Sequence, residues 1–266
     1  MTRSITMICL MATLLFTACS STRTTPLAVQ QTKINDLNER ALASAEKGYD
    51  ADAQKLLREA LQLASSLDNK EGQIITLLNQ SRLARHNSNV QLSALSLEQA
   101  MTQSAGTIYY ADVAQEKALH ELAVNHLDEA THWAEIARDA EQGNLIGRRF
   151  NLLARIALKK NEVRASERFA EQALAATKNV GQESEQANSL RILGIITART
   201  GQWDKAEKLL QEALLLDRQQ ASPAKIASDL EALAELAGLK KEPARQQEFL
   251  QRAKVVRENS QTGRKK

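Results

Sequence analysis

The sequence predicts an all-α protein, a solenoid of about six helix pairs. Its 266 residues are rich in Ala, Leu, Glu, Gln, Lys and Arg, which are strong helix formers, while aromatic residues make up only 3%. Small residues return at intervals of about 40 along the chain, and turn-forming residues separate the segments between them. A period of this size is typical of repeat architectures, in which each unit buries its apolar face against the next.

The first segment, residues 1–18, has the pattern of an export signal. Arg3 supplies a positive charge, an apolar run extends from Ile5 to Phe16, and small residues precede Cys19. A run of this length is too short to remain as a membrane-spanning helix, but it has the length of a signal-peptide core. Residues 16–19 read Phe-Thr-Ala-Cys, which resembles the lipobox of bacterial lipoproteins.

The resemblance to bacterial lipoproteins implies that residues 1–18 are removed and that Cys19 is acylated as the new N-terminus. Ser20 resembles the residue found there in lipoproteins sorted to the outer membrane, so we expect lipid anchoring to a Gram-negative outer membrane, facing the periplasm. The lipidated Cys and a polar, flexible tether are predicted over residues 19–33. The alternative is an ordinary secretory signal that happens to end in a cysteine.

Charge and cysteine usage exclude several classes of protein. The formal net charge is +3, or +2 without Arg3, and the chain lacks the basic stripe of a nucleic-acid binder. Residues 258–266 are predicted as a short, solvated basic tail. Cys9 lies in the apolar run of the signal, so the processed chain has no thiol for a disulfide or a metal. The predicted domain must therefore be stabilised by its core alone.

Two columns of small residues align the repeats, which span about residues 34–257. The first column consists of Ala41, Ser81, Ala118, Ala154, Gly194 and Ala234. The second consists of Ala60, Ala100, Ala137, Ala173, Ala213 and Ala253, at spacings of 40, 37, 36, 40 and 40. Two antiparallel helices approach closely only where small side chains meet at their crossing, so each repeat is predicted to be one helix pair.

One segment, residues 190–214, closely resembles the tetratricopeptide repeat. The family pattern is Leu-Gly on a first helix, Gly in the turn, then Ala, a large apolar residue and Ala on a second helix. The corresponding residues here are Leu193 and Gly194, then Gly201, then Ala206, Leu210 and Ala213. The resemblance implies a curved stack of helix pairs whose concave face binds other chains. Because the period exceeds the usual 34 residues, we expect longer helices or longer loops.

The sequence offers no catalytic or metal-binding motif, so we expect neither an enzyme nor a cofactor. His120-Glu121 begins like the metalloprotease motif, but the position of its second histidine holds Val124. His120, His126 and His132 are spaced by six residues, which does not place them on one helical face. We predict solvated histidines there and no metal site.

The tetratricopeptide resemblance also implies which side chains face the groove. Carrying the family's concave positions over to this chain gives seven candidates for protein binding: Arg82, Arg85, Arg148, Asn151, Arg155, Asn188 and Arg191. Arginine binds carboxylates bidentately, and asparagine can bond an extended backbone on both sides. The set is similar to a carboxylate clamp, with Arg in place of Lys. The alternative is that these are solvated helix residues paired with neighbouring glutamates.

The predicted function follows from the fold and the anchor together. We expect a membrane-anchored scaffold of the bacterial envelope that binds a partner protein or peptide and no nucleic acid, with acidic groups of the partner as the candidate recognition feature. Lipoproteins of this type commonly assist assembly of pili, secretion channels or peptidoglycan machinery. The open alternative is a regulatory module that activates a cell-wall enzyme or binds glycan or a small ligand.

Overall fold

A computed structural model describes residues 26–178 and 181–262, and these residues form twelve α-helices without a β-strand. The helices are α1 (Pro26–Glu46), α2 (Asp50–Ser66), α3 (Lys70–His86), α4 (Val90–Ser104), α5 (Tyr110–Ala123), α6 (Leu127–Asp139), α7 (Ile146–Lys159), α8 (Val163–Thr177), α9 (Glu183–Arg199), α10 (Trp203–Gln219), α11 (Pro223–Leu239) and α12 (Pro243–Thr262). The predicted all-α solenoid of six helix pairs is confirmed.

The helices form two layers. Each odd-numbered helix packs most extensively against the even-numbered helix that follows it, which gives six antiparallel pairs. The first helices of neighbouring pairs also contact one another along the whole stack, from α1 and α3 to α9 and α11. The second helices of neighbouring pairs do not, within the described ranges. The first helices therefore form the tighter, inner layer, which lines the concave face.

The two predicted columns of small residues lie at the helix crossings. All twelve positions are buried, and none of their alanines or serines is more than 2% exposed. Gly194 shows the constraint most clearly, because a Cβ atom there would stand only 2.7 Å from Cγ and Cδ2 of Leu210. Leu210 is itself completely buried, so neither residue can move aside without opening the core.

The core is a chain of clusters that join successive pairs. Each of five clusters combines apolar side chains from one pair with those of the next pair's first helix. In the first pair, for example, Ala41, Ala53 and Leu57 pack with Leu83 of α3. Because a repeat's apolar face is covered only by its neighbour, the stack stabilises itself pairwise along its length.

The turns within the pairs share one backbone feature. A residue with positive φ ends each first helix, and these residues recur with the repeat spacing: Gly48, Ser88, Asn125, Asn161, Gly201 and Lys241. The left-handed conformation reverses the chain after the helix, and glycine or asparagine adopts it most readily. Lys241, at φ 61°, is the least suited of the six.

Helix length accounts for the longer repeats. In the repeat aligned on Gly194, α9 and α10 have 17 residues each. In the shorter third repeat, α5 and α6 have 14 and 13 residues. The prolines fit the same scheme, since Pro223 and Pro243 begin α11 and α12, where the missing N–H is not needed.

Both ends of the solenoid extend beyond the predicted boundaries. The predicted tether, residues 19–33, is helical from Pro26, and the predicted tail, residues 258–266, is helical as far as Thr262. Ile34, predicted as the first residue of the solenoid, has no exposed surface and belongs to the core. The helix α1 nevertheless begins eight residues earlier, at Pro26. The signal segment 1–18, Cys19 and residues 263–266 lie outside the described residues. None of the described helices combines the length and apolarity needed to cross a membrane.

The turn geometry yields a stability prediction. Changing Lys241→Gly should raise the free energy of unfolding by up to about 1 kcal/mol, because a non-glycine residue in the left-handed region costs roughly 1–2 kcal/mol and glycine's entropy offsets part of the gain. The matched change Gly201→Lys, at the equivalent turn with φ 80°, should lower it by a similar amount. Urea unfolding followed by circular dichroism measures both. Equal midpoints for the two variants would contradict the argument.

Candidate functional site: the concave groove

A large cavity lies on the concave face between α5, α7, α9 and α11, with α3 at its edge. Its volume is about 740 Å³. Five apolar side chains form its floor: Leu119, Leu122, Leu158, Ile192 and Ile195. Six cationic side chains surround them: Arg85, Arg155, Lys159, Arg191, Arg199 and Lys225. No described lining residue is a carboxylate, so this surface combines apolar contact with strong positive charge.

Arg82, Arg85 and Arg148 share one buried carboxylate. Arg82 Nε and Arg85 Nη2 each donate to an oxygen of Glu116 at 2.9 Å, and Arg148 Nη2 lies 3.9 Å away. Glu116 is 1% exposed, so its charge is stabilised by these guanidinium groups rather than by water. Three positive charges against one negative charge leave this end of the groove cationic.

Arg149, the neighbour of a predicted groove residue, is a buried structural residue. It is 1% exposed and donates to Asp112 at 2.7 Å, to Gln115 at 2.6 Å and to Glu141 at 2.8 Å. These bonds join α5, α7 and the loop between α6 and α7. Sequence reasoning missed this residue, because its burial depends on acceptors contributed by another helix pair.

Asn151 is part of the wall and not available to a peptide backbone. Its Nδ2 donates to both the carbonyl and the side chain of Glu185 at 2.9 Å, and its Oδ1 accepts from Ser189 at 2.8 Å. Asn188 donates to the same Glu185 carboxylate at 3.0 Å. Both asparagines therefore pair with a glutamate of the fold, as the alternative interpretation of the groove residues expects.

Arg191 bridges two carboxylates that are completely buried. Its Nε donates to Asp229 Oδ1 at 2.6 Å, and its Nη2 contacts Asp217. One oxygen of each aspartate, Asp217 Oδ1 and Asp229 Oδ2, has no partner among the described residues. Burial raises the pKa of Asp229 to about 6, against the opposing effect of Arg191 and with a further contribution from Asp217. Removing Arg191 would leave two buried carboxylates without a counter-charge.

Arg155 differs from the other predicted groove arginines. It has neither a hydrogen bond nor an ion pair with any described residue. Its side chain is exposed to solvent in the open groove, and the surrounding helices partly enclose it. This enclosure lowers the pKa of Arg155, and the charges of Arg85 and Arg191 lower it further. The side chain stays charged at neutral pH, so Arg155 is an accessible cation with no ion-pair partner among the described residues.

Lys159 and Lys225 are the two lysines among the six cationic side chains that line the cavity, and the sequence analysis did not select them. Lys225 Nζ, from α11, donates to the carbonyl of Ser184 at 3.2 Å and contacts its hydroxyl. Burial lowers the pKa of Lys225, and Glu185 and Asp217 oppose that effect. Lys159 Nζ donates to the carbonyl of Leu122 at 3.2 Å. The concave register carried to α11 gives Ser228, Glu231, Glu235 and Gly238, so it does not select Lys225, which lies nine residues before the first small column there.

One of the three histidines differs from its prediction, whereas His126 and His132 are exposed as expected. His120 is 7% exposed, its Nδ1 lies 3.0 Å from Ser93 Oγ, and burial lowers its pKa. It was predicted to be solvated, which is wrong, because small Ser81 and Ser93 leave room for it at a helix crossing. Ser93 has no exposed surface, so this pair offers no access to a substrate. No cluster of three or more potential metal ligands occurs in the described part of the chain.

Comparison with known proteins supports the repeat assignment. Residues 189–224 match the tetratricopeptide repeat family, over the segment in which the sequence pattern was strongest. Comparison with curated proteins finds no match.

Solved structures show the same fold at low sequence identity. PilF of Pseudomonas aeruginosa superposes with a TM-score of 0.60 at 13% identity, covering 83% of this chain and 90% of PilF. PilW, a type IV pilus biogenesis factor, gives a TM-score of 0.61 at 13% identity, with 81% and 90% coverage. A Rap protein complexed with the competence and sporulation factor gives 0.65 at 14% identity, with 88% and 67% coverage. The chain is thus similar to repeat scaffolds, a fold class that is typically non-catalytic.

The buried aspartates yield a pH prediction. Because the pKa of Asp229 is raised in the folded protein, the folded state binds this proton more tightly than the unfolded chain between about pH 4 and 6. The contribution of this group to stability should therefore increase as the pH falls from 7 to 4. Asp229→Asn should remove that contribution, because Asn keeps an acceptor for Arg191 and can donate to Asp217.

The measurement is the difference in unfolding free energy between parent and variant at each pH from 7 to 4. Contributions from titrating groups that the two proteins share cancel in this difference. Glu212→Gln, an exposed carboxylate on α10, is the matched control and should show a flat difference. A pH-independent difference for Asp229→Asn would contradict the interpretation of the aspartate pair.

Proposed function

We propose that this chain is a lipid-anchored scaffold of the bacterial envelope that binds an acidic segment of a partner protein in its concave groove. The observation that carries the proposal is Arg155, a cation without a partner among the described residues, between Arg85 and Arg191 in an apolar-floored cavity. Removing water from such a cation is unfavourable unless an anion compensates it. A carboxylate of a bound chain would supply that compensation.

The shape of the site favours a protein segment over a small molecule. The cavity is an open stretch of a longer groove, and further depressions lie beside it, one lined by Arg148 and Asn151 and one by Leu42 and Leu83. Proteins commonly bind linear segments in such grooves, where apolar anchors supply affinity and charges supply orientation.

The comparisons support the same class of function. PilW is a type IV pilus biogenesis factor, and the Rap protein is seen in complex with the competence and sporulation factor. Together with the predicted lipidation of Cys19, they support a non-enzymatic role in the assembly of an envelope complex such as a pilus. The outer membrane of a Gram-negative bacterium, with the solenoid facing the periplasm, is the proposed location.

Partner capture from solubilised envelope tests the groove. The bait starts after Cys19 and is compared with Arg155→Glu, a change that breaks no described contact. We expect one envelope protein to bind the parent saturably and the variant at least about tenfold more weakly, because a repelling charge replaces an attractive one. Arg191→Glu is unsuitable, since Arg191 holds two buried aspartates.

The matched control is Arg164→Glu, an equivalent charge reversal at an exposed arginine on α8, on the other layer of the same helix pair. It should leave capture unchanged. Equal loss in both variants would show a nonspecific charge effect, and unchanged capture by Arg155→Glu would move the binding site elsewhere. Failure of the parent to capture any protein, with binding of peptidoglycan fragments instead, would replace the scaffold with a glycan-binding module.

Lipid anchoring has its own test. In cells, Cys19→Ser should abolish incorporation of labelled palmitate, because the thiol is the acylation site. Cys9→Ser, in the apolar part of the signal, is the matched control and should leave the labelling unchanged. Labelling of the Cys19→Ser protein, or absence of label on the parent, would contradict the lipoprotein assignment.

A further inference from the structure

One row of side chains runs the length of the groove. It consists of the residue directly after each member of the first small column, so each first helix contributes one. In order from α1 to α11, the row reads Leu42, Arg82, Leu119, Arg155, Ile195 and Glu235. Apolar and charged side chains therefore alternate from one helix to the next.

The two arginines of this row are not equivalent. Arg82 donates to buried Glu116 and is held by that ion pair, whereas Arg155 has neither a hydrogen bond nor an ion pair with a described residue. Leu119 and Ile195, on the two helices beside Arg155, are both half-buried and line the same cavity. Within this row, Arg155 is the positive charge without a described ion-pair partner, and it has an apolar side chain on each neighbouring first helix.

We infer that this groove recognises an internal acidic side chain flanked on both sides by apolar residues, and not the end of a chain. The inference rests on the proposed function and specifies its partner. The carboxylate would bind Arg155, and the flanking side chains would contact Leu119 and Ile195. An internal residue fits because the row continues past Arg155 in both directions, over α5 and α3 on one side and α9 and α11 on the other. A segment can therefore extend through the groove past Arg155.

The helix spacing sets the spacing of the recognised residues. Packed helices lie about 8–10 Å apart. A polyproline II segment rises about 3.1 Å per residue with three residues per turn, so its side chains recur on one side every ~9.3 Å. One turn of such a segment matches one step between first helices. The partner pattern is therefore apolar-x-x-acidic-x-x-apolar, in an extended, left-handed conformation.

Four synthetic peptides test this pattern by fluorescence or calorimetric titration. The parent is acetyl-Pro-Leu-Ser-Pro-Glu-Ser-Pro-Leu-Ser-amide, whose Leu, Glu and Leu are three residues apart. The second peptide has Gln for Glu. The third has Gln for Glu and a free C-terminal carboxylate, which keeps the net charge but moves it to the chain end. The fourth interchanges Glu with the Pro before it, which shifts the acid by one residue.

We expect the parent peptide to bind at least tenfold more tightly than each of the other three. Arg155→Gln should bind the Glu and Gln peptides with equal affinity, while Arg164→Gln, the exposed control on α8, should keep the full preference. Circular dichroism establishes that both variants remain folded. This comparison assigns the Glu preference to Arg155, because the Gln peptide differs only in the group that Arg155 would contact.

Three outcomes would overturn the inference. Tighter binding of the peptide with the free C-terminus would mean that the groove reads a chain end. A preference for Glu that persists in Arg155→Gln would place the acid elsewhere. Absence of binding by all four peptides would exclude this pattern as a ligand. None of these outcomes removes the scaffold function, which depends on capture of an envelope protein by the parent chain.

Discussion

Close approach of two helices at a column of small side chains is the constraint on which this structure depends. At Gly194 not even a methyl group fits between α9 and Leu210 of α10. The same crossing recurs in all six described pairs, with Ala or Ser in place of Gly. Because every pair has the same geometry, the first helices stack in contact and line one continuous concave face. The groove is thus a consequence of backbone approach rather than of any binding residue.

Buried carboxylates decide which groove arginines remain available. A carboxylate inside the protein requires a counter-charge, so Glu116 engages Arg82 and Arg85, while Asp217 and Asp229 engage Arg191. These arginines contribute positive potential to the groove but are fixed by the fold. Arg155 has no hydrogen bond or ion pair with a described residue, and the charge of Glu185 opposes the lowering of its pKa. Its availability is therefore a result of how its neighbours are paired.

The helix positions that face the groove were predictable from the repeat spacing, but the role of the side chain at each position was not. Counting from the small columns selects Arg85, Arg148, Arg155, Asn188 and Arg191, and these residues line cavities of the groove. The same count treats Asn151 and Arg155 alike, although Asn151 is buried against α9 and Arg155 is exposed in the groove. The difference arises from partners on α9, some 34 residues away in sequence, which local spacing cannot identify. Whether these residues bind a partner stays a prediction.

The sequence by itself determined the number of helix pairs, their turns and the face that is concave, because these depend on side-chain size and backbone preference at a fixed period. Gly201 and the six alanines of the second column carry that information locally. Only the tertiary structure decided the burial of Arg149 and His120 and the pairing of Asp217 with Asp229 around Arg191. Burial and charge compensation depend on groups from different repeats, and those groups come together only when the repeats stack.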